Sequence, residues 1–344
     1  MERIGYWAEY LVISNQGKLK MRLKVRFVYL ACTVAAAMSW IDVAAQGTVR
    51  RLVRIVVPAT PGGGTDIVAR VVAQGLGENS KQQVVVENRA GGSGMIGSDL
   101  VAKSVPDGNT LLLAYTSHVT NPALFEKMTY DTVKDFAPVT LVGITPSVLV
   151  VHPSVPVRTV KDLIALAKAR PGQINYASAG NGSASHLSTE WFCMQAGVRM
   201  NQIAYKGTAP ALMDVISGQV PVMIGIVGAV LPQVRSQKLR ALAVTSLRRS
   251  ALAPDLPTMA ESALQGYESS AWFALFAPAR TPDSLIASLN SDVVRGLQTA
   301  DARERLGAQG IEIQVSTPVE LGQRVVSEIE KWRKVILAAN VKAE

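Results

Sequence analysis

Three stretches rich in glycine and hydroxyl side chains hold the residues best placed to do chemistry. The first carries Thr60, Gly62, Gly63, Gly64, Thr65 and Asp66, the second Ser178, Gly180, Asn181, Gly182, Ser183 and His186, and the third Lys206, Gly207 and Thr208. The first follows an apolar run over 52–57, broken only by Arg54, and precedes an apolar face at Ile67, Val68, Val71 and Val72. That order reads as a strand, a turn stopped by Pro58 and Pro61, and a helix capped by Gly64 or Thr65. A helix that starts after a glycine turn leaves backbone N–H groups pointing into one small volume, where an anion or carboxylate is the natural occupant. Asp66, in the first helical turn, would repel such an anion at close range. Its expected task is to hydrogen-bond the turn and hold the N–H groups in place, directly or through water. Gly63 is expected to carry the positive φ of the turn. The second stretch repeats the plan with a short strand over 174–177, a polar glycine turn and a helix opened by His186. The third precedes a helix over 211–216, and Lys206 there could face an anion or simply be solvated.

The parts of familiar catalytic schemes are missing. The first turn lacks the Lys-Ser/Thr pair of a phosphate-binding loop, and no Gly-x-Ser-x-Gly elbow occurs. Gly92-x-Gly94-x-x-Gly97 matches a dinucleotide fingerprint literally, but the acidic residue expected about twenty positions later is absent, so the glycines read instead as a helix starting close to a sheet. His118, His152 and His186 stand far apart with no paired Cys or His, so no metal is expected, and no cofactor either. Cys193 follows Trp191 and Phe192 on an apolar helix and reads as a buried structural thiol. His186 sits beside serines at a helix N-terminus. The helix dipole disfavours its imidazolium there, which suits a neutral ring making one hydrogen bond better than a general base. Binding without catalysis therefore accounts for these residues better than its rival, a hydrolase using His186 and the serine-rich stretch.

Further strands are expected over 83–86, over 110–115 ending at Thr116-Ser117-His118, and over 220–226, 239–245, 272–276 and 311–315. Two apolar runs between 136 and 151 suit a crossing between lobes. Asn121-Pro122 is expected to start a short helix, and Thr159 with Asp162 forms a capping-box-like start for another. The C-terminal part reads as helices over 284–297, 301–306 and 319–339, the last with a core-facing stripe at Leu321, Val325, Ile329, Trp332 and Ile336. This alternation argues for parallel α/β layers.

Residues 1–45 stand apart. Arg22, Lys24 and Arg26 precede an apolar run over 27–41, and Val43-Ala44-Ala45 suits cleavage before Gln46, as in a secretory signal that begins at Met21 behind an upstream extension from Met1. The run is shorter than the ~20 apolar residues of a membrane-spanning helix. Removing this segment lowers the net charge from +9 to +6 and leaves Cys193 as the one cysteine, so no intrachain disulfide can form. The remaining positive charge has no interleaved aromatics and does not point to nucleic acid.

Motifs along nearly all of 46–344 fall in one order: Pro58-Ala-Thr-Pro-Gly-Gly-Gly-Thr-Asp66, Val86-Glu-Asn-Arg-Ala-Gly-Gly92, Pro106-Asp-Gly108, Ser117-His118, Tyr176-Ala-Ser-Ala-Gly-Asn-Gly-Ser-Ala-Ser-His186, Tyr205-Lys-Gly-Thr208 and Pro278-Ala-Arg-Thr-Pro282. In these the chain resembles the Bug-type (TctC-family) extracytoplasmic solute-binding receptors of tripartite tricarboxylate transporters. The resemblance implies a two-lobe α/β fold of the periplasmic-binding-protein type (type II), with crossing strands and a ligand cleft between the lobes. It implies a periplasmic monomer that takes a small organic acid and hands it to membrane transporter subunits; a sensing module without transport is the alternative. It implies that the loop at 60–66 takes one carboxylate through amides and water, that 178–186 meets the ligand from the other lobe with Lys206, Gly207 and Thr208 nearby, and that Ser117 joins the set. The lobes are expected at about 46–145 plus 266–344 and at 146–265. Ala59 and Asn109 stand where the family commonly has aromatic residues; the first removes a wall of the cleft.

Overall fold

The computed structural model describes residues 52–341. In chain order its elements are β1 (Leu52–Val57), α1 (Gly64–Ser80), β2 (Gln83–Asn88), α2 (Met95–Ala102), β3 (Thr110–Tyr115), α3 (Ser117–Leu124), β4 (Phe136–Thr145), β5 (Ser147–Val151), α4 (Val160–Ala169), β6 (Asn175–Ser178), α5 (Ala184–Ala196), β7 (Asn201–Ala204), α6 (Thr208–Ile216), β8 (Val222–Ile226), α7 (Val227–Arg235), β9 (Arg240–Val244), α8 (Met259–Ser262), β10 (Ala271–Pro278), α9 (Asp283–Leu297), α10 (Ala300–Gly307), β11 (Glu312–Ile313) and α11 (Pro318–Ala338).

The strands form two sheets. The first has the order β11-β4-β10-β3-β1-β2 and the second β7-β6-β8-β5-β9. β1, β2 and β3 run parallel, as do β6, β7 and β8. The expectation of parallel layers holds for these trios but not throughout, because β10 is antiparallel to both β3 and β4, and β5 is antiparallel to both β8 and β9. These exceptions border the two passages of the chain between sheets. Only Pro146 separates β4 from β5, and the return runs from β9 to β10. A strand that arrives from the other sheet needs no crossover helix, so nothing compels it to be parallel.

Each sheet is covered on both faces. Val53, Ile55 and Val57 pack with α1, α9 and α10, and Val56, Leu112, Trp272 and Phe276 with α2, α3 and α11. On the second sheet, Leu149, Tyr176 and Ile224 pack with α4, α5 and α8, and Val148, Val150 and Met223 with α6 and α7. Burial on both faces explains why these strands read as unbroken apolar runs.

Two local departures have physical reasons. The helix expected from Asn121 begins at Ser117, so Pro122 lies inside it. The carbonyl of His118, which Pro122 has no N–H to bond, accepts the Thr132 hydroxyl at 3.3 Å instead. The strand expected over 311–315 shrinks to two residues, because Ser316 takes over the pairing. Its hydroxyl accepts the Leu141 amide at 3.0 Å and its carbonyl accepts the Thr140 hydroxyl at 2.9 Å. The capping box at Thr159 and Asp162 forms as expected. The proposed signal segment lies outside the described residues.

Candidate functional site

The first loop is shaped by Asp66. Its buried carboxylate accepts the Gly62 amide and the Arg70 guanidinium, both at 3.0 Å through Oδ2. Burial works to raise its pKa, but the bonds from Arg70, Gly62 and Asn88 prevail and hold it below the usual carboxylate range. Asn88, at the end of β2, also donates to the Ala59 carbonyl at 3.2 Å. The positive φ falls on Gly62 (81°) and not on Gly63, which adopts φ −81°, ψ 171° and caps α1 in place of Gly64 or Thr65. Gly62 turns so that its amide can meet Asp66. Ile67 is the first helical residue with a bonded amide, to the Gly63 carbonyl at 3.1 Å. The amides of Gly64, Thr65 and Asp66 thus stand at the open end of α1 without a partner among the described residues. Thr60, Gly62, Gly63 and Gly64 are exposed and Thr65 is half-buried.

Ser117 opens α3 beside this loop, at the end of β3, which pairs with β1. The glycines after β2 exist for close approach. A Cβ on Gly97 would lie 3.0 Å from the Cα of Pro58, and one on Gly94 would lie 3.4 Å from the Ser117 hydroxyl. This packing accounts for the fingerprint-like spacing without a nucleotide.

The second loop is held by its own hydroxyls. Ser178 is fully buried, its Oγ accepting the Gly180 amide at 3.3 Å and the Gln202 side chain at 2.8 Å. Ser183 caps α5 and donates to the Gly180 carbonyl at 2.7 Å, while Ser185 accepts the Ala179 amide at 2.9 Å. His186 is buried, and its Nδ1 accepts the Gly182 amide at 3.1 Å. Burial lowers its pKa, so the ring is neutral with its proton on Nε2. Gly180 and Gly182 hold φ of 122° and 69°, and Asn181 at the loop tip is exposed. The third loop joins the second through the Gly207 amide, which donates to the Ala179 carbonyl at 3.1 Å. Lys206 is exposed, and Thr208 begins α6, which has no side-chain cap.

Strand directions place both groups of loops at the sheet edges between which the chain crosses. β4 runs parallel to β3, since both are antiparallel to β10, so its last residue lies at the sheet edge that bears the 60–66 loop and Ser117. β5 starts two residues later, at the edge of the second sheet where β6 and β7 end in the 178–186 and 206–208 loops. Leu187, on α5, packs among residues of α3 and α11, so α5 already rests on the first sheet's helices.

Sequence reading missed Arg70, Asn88 and Gln202 as holders of these loops. The i,i+4 spacing of Asp66 and Arg70 carried a signal; the other two come from neighbouring strands, and only the register reveals them. Ser178, Ser183 and the Nδ1 of His186 turn out to be engaged in holding the loop. No group of three His, Cys, Asp or Glu able to hold a metal occurs among the described residues. Cys193 is buried, which pushes its thiol up to about 12. No helix among the described residues is long and apolar enough to cross a membrane.

A sequence profile described as the tripartite tricarboxylate transporter family receptor, TctC, matches residues 68–341. The chain belongs to the TctC family. Protein BugT of Bordetella pertussis is 40% identical over 294 residues, 85% of this chain and 90% of that protein. The structure of R. palustris Rpa4515 with adipate is 37% identical with a TM-score of 0.66, covering 86% of this chain and 99% of that one. An unliganded TctC solute-binding protein from Polaromonas is 25% identical with a TM-score of 0.77, covering 85% and 100%. The fold of this TctC chain is thus the two-lobed α/β fold of periplasmic solute-binding proteins, and the TctC relatives compared are binding proteins.

Proposed function

We propose that the mature chain, 46–344, is a periplasmic receptor that captures a small carboxylate-bearing metabolite and delivers it to a membrane transporter. The observation that carries this reading is the open end of α1, where three unpartnered amides meet no competing side-chain charge because Asp66 is turned inward. A carboxylate there gains hydrogen bonds and the favourable helix dipole together. Ser117 stands beside it, and the 178–186 and 206–208 loops close on its other side. The lobes are residues 46–145 with 266–344, and 146–265, and the protein acts as a monomer. The adipate bound to Rpa4515 supports a carboxylate ligand.

A hydrolase built on His186 is disfavoured by its Nδ1, which is committed to the Gly182 amide. Calorimetric titration of 46–344 with mono-, di- and tricarboxylates tests the proposal. A micromolar binder recovered unchanged is the expected result; turnover abolished by His186→Ala would replace the receptor with an enzyme. Uptake in cells lacking the protein separates delivery from sensing.

A further inference from the structure

Charge is divided unevenly along the chain. Residues 146–265, which carry the second sheet, hold 11 Lys and Arg against 5 Asp and Glu, whereas the rest of 46–344 holds 18 of each. The surplus gathers around α4. Arg158, Lys161, Lys168 and Arg170 on or beside it, and Arg199 after α5, are all exposed, and none has a carboxylate partner among the described residues. The neighbouring acids are already engaged. Asp162 accepts the amides of Arg158 and Thr159 at 3.0 and 2.9 Å. Glu190 accepts the Tyr176 hydroxyl, and Glu261 accepts the Arg249 guanidinium and the Thr258 amide.

Within this basic face, α4, α5 and α8 enclose a groove of about 450 Å³. Ile164 and Leu264 supply apolar wall, Lys161 and Lys168 stand exposed beside it, and Gln195 lines it with its Oε1 buried and lacking a donor. We propose that this groove is the docking site for an acidic segment of a protein partner. Unpaired lysines flanking an apolar depression match a segment that alternates carboxylates with apolar side chains. The shape favours protein over an anionic lipid surface, because a flat headgroup layer cannot fill a groove. The groove lies apart from the proposed ligand loops, so docking and ligand capture can be measured separately.

The test uses 46–344 and a fluorescein-labelled peptide alternating Leu and Glu, read by fluorescence anisotropy at two salt concentrations. Binding should weaken with salt, and Lys161→Glu/Lys168→Glu should weaken it about tenfold or more. Arg235→Glu/Lys238→Glu makes the same change of net charge at the end of α7, on the opposite face of the second sheet, and should change it less than about threefold. Equal losses in both variants would reduce the effect to net charge and overturn the proposal. So would absence of peptide binding, or groove-dependent binding to phosphatidylglycerol vesicles in its place. The carboxylate affinity of the groove variant, measured in parallel, should stay unchanged and serves as its folding control.

Discussion

Gly62 makes the turn of the first loop, and this gives a sharp test of the site. Its φ of 81° suits glycine, and no atom lies within 4 Å of a Cβ built there. Gly62→Val should therefore move the turn without any clash, free Asp66 from its amide and weaken carboxylate binding at least tenfold by calorimetry, while the melting temperature falls only a few degrees. Unaltered affinity would remove the loop from the site. Sequence alone pointed to the turn and to the inward role of Asp66, because a carboxylate in a first helical turn must either repel an anion or be occupied elsewhere. It named Gly63 as the glycine that turns, whereas Gly62 does, since the choice depends on the amide Asp66 captures. His118 offers a second test at this scale. Its ring is buried among Tyr130, Phe136 and Phe276, with centroids 4.9 Å from each phenylalanine, and burial lowers its pKa to about 3. The unfolded chain therefore binds more protons than the native one between about pH 6.5 and 3, so the native state loses stability as pH falls through that window, by the order of a few kcal/mol. His118→Phe should shrink the drop in urea midpoint between pH 7 and about pH 4.5. A drop as large as in the parent would mean that other groups set the acid response.

Among the elements, α11 departs most from its sequence pattern. Of the expected apolar stripe, Leu321, Val325, Trp332 and Ile336 are buried and Ile329 is half-buried, but Glu328 is buried with them. Its carboxylate accepts the indole N–H groups of Trp272 at 2.9 Å and Trp332 at 3.2 Å, and it pairs with Arg324 at 3.2 Å. Arg324 also binds Glu268 at 2.7 Å, so the helix grips the segment where the chain returns to the first sheet. A charged residue on a helix normally reads as solvent-facing, and only the arrival of Trp272 from far along the chain makes this one internal. Glu328→Ala should cost about 3 kcal/mol or more in chemical denaturation, since it strands two buried indole donors and leaves Arg324 with Glu268 alone. Glu328→Gln keeps an acceptor for the indoles and should cost less. Equal losses would show that the hydrogen bonds to Trp272 and Trp332 contribute little.

For the whole molecule, the alternation of strands and helices made the α/β class legible, and the motif order made the family legible. The antiparallel members of each sheet were not, because they follow from where the chain changes sheets and no local pattern records that. One of them has a consequence for how the protein is made. β10 lies between β3 and β4 in the middle of the first sheet, yet it is synthesised only after the entire second sheet. Until residues 271–278 emerge, β3 and β4 lack the neighbour that joins them, and the first sheet remains two pieces. A chain ending at residue 265 should accordingly show no cooperative melting of its first half, as read by hydrogen exchange at the amides of β1 and β3. Protection there equal to that of the full chain would refute this. A sheet completed so late keeps the first half of a chain read as exported open and threadable until most of its length has been made.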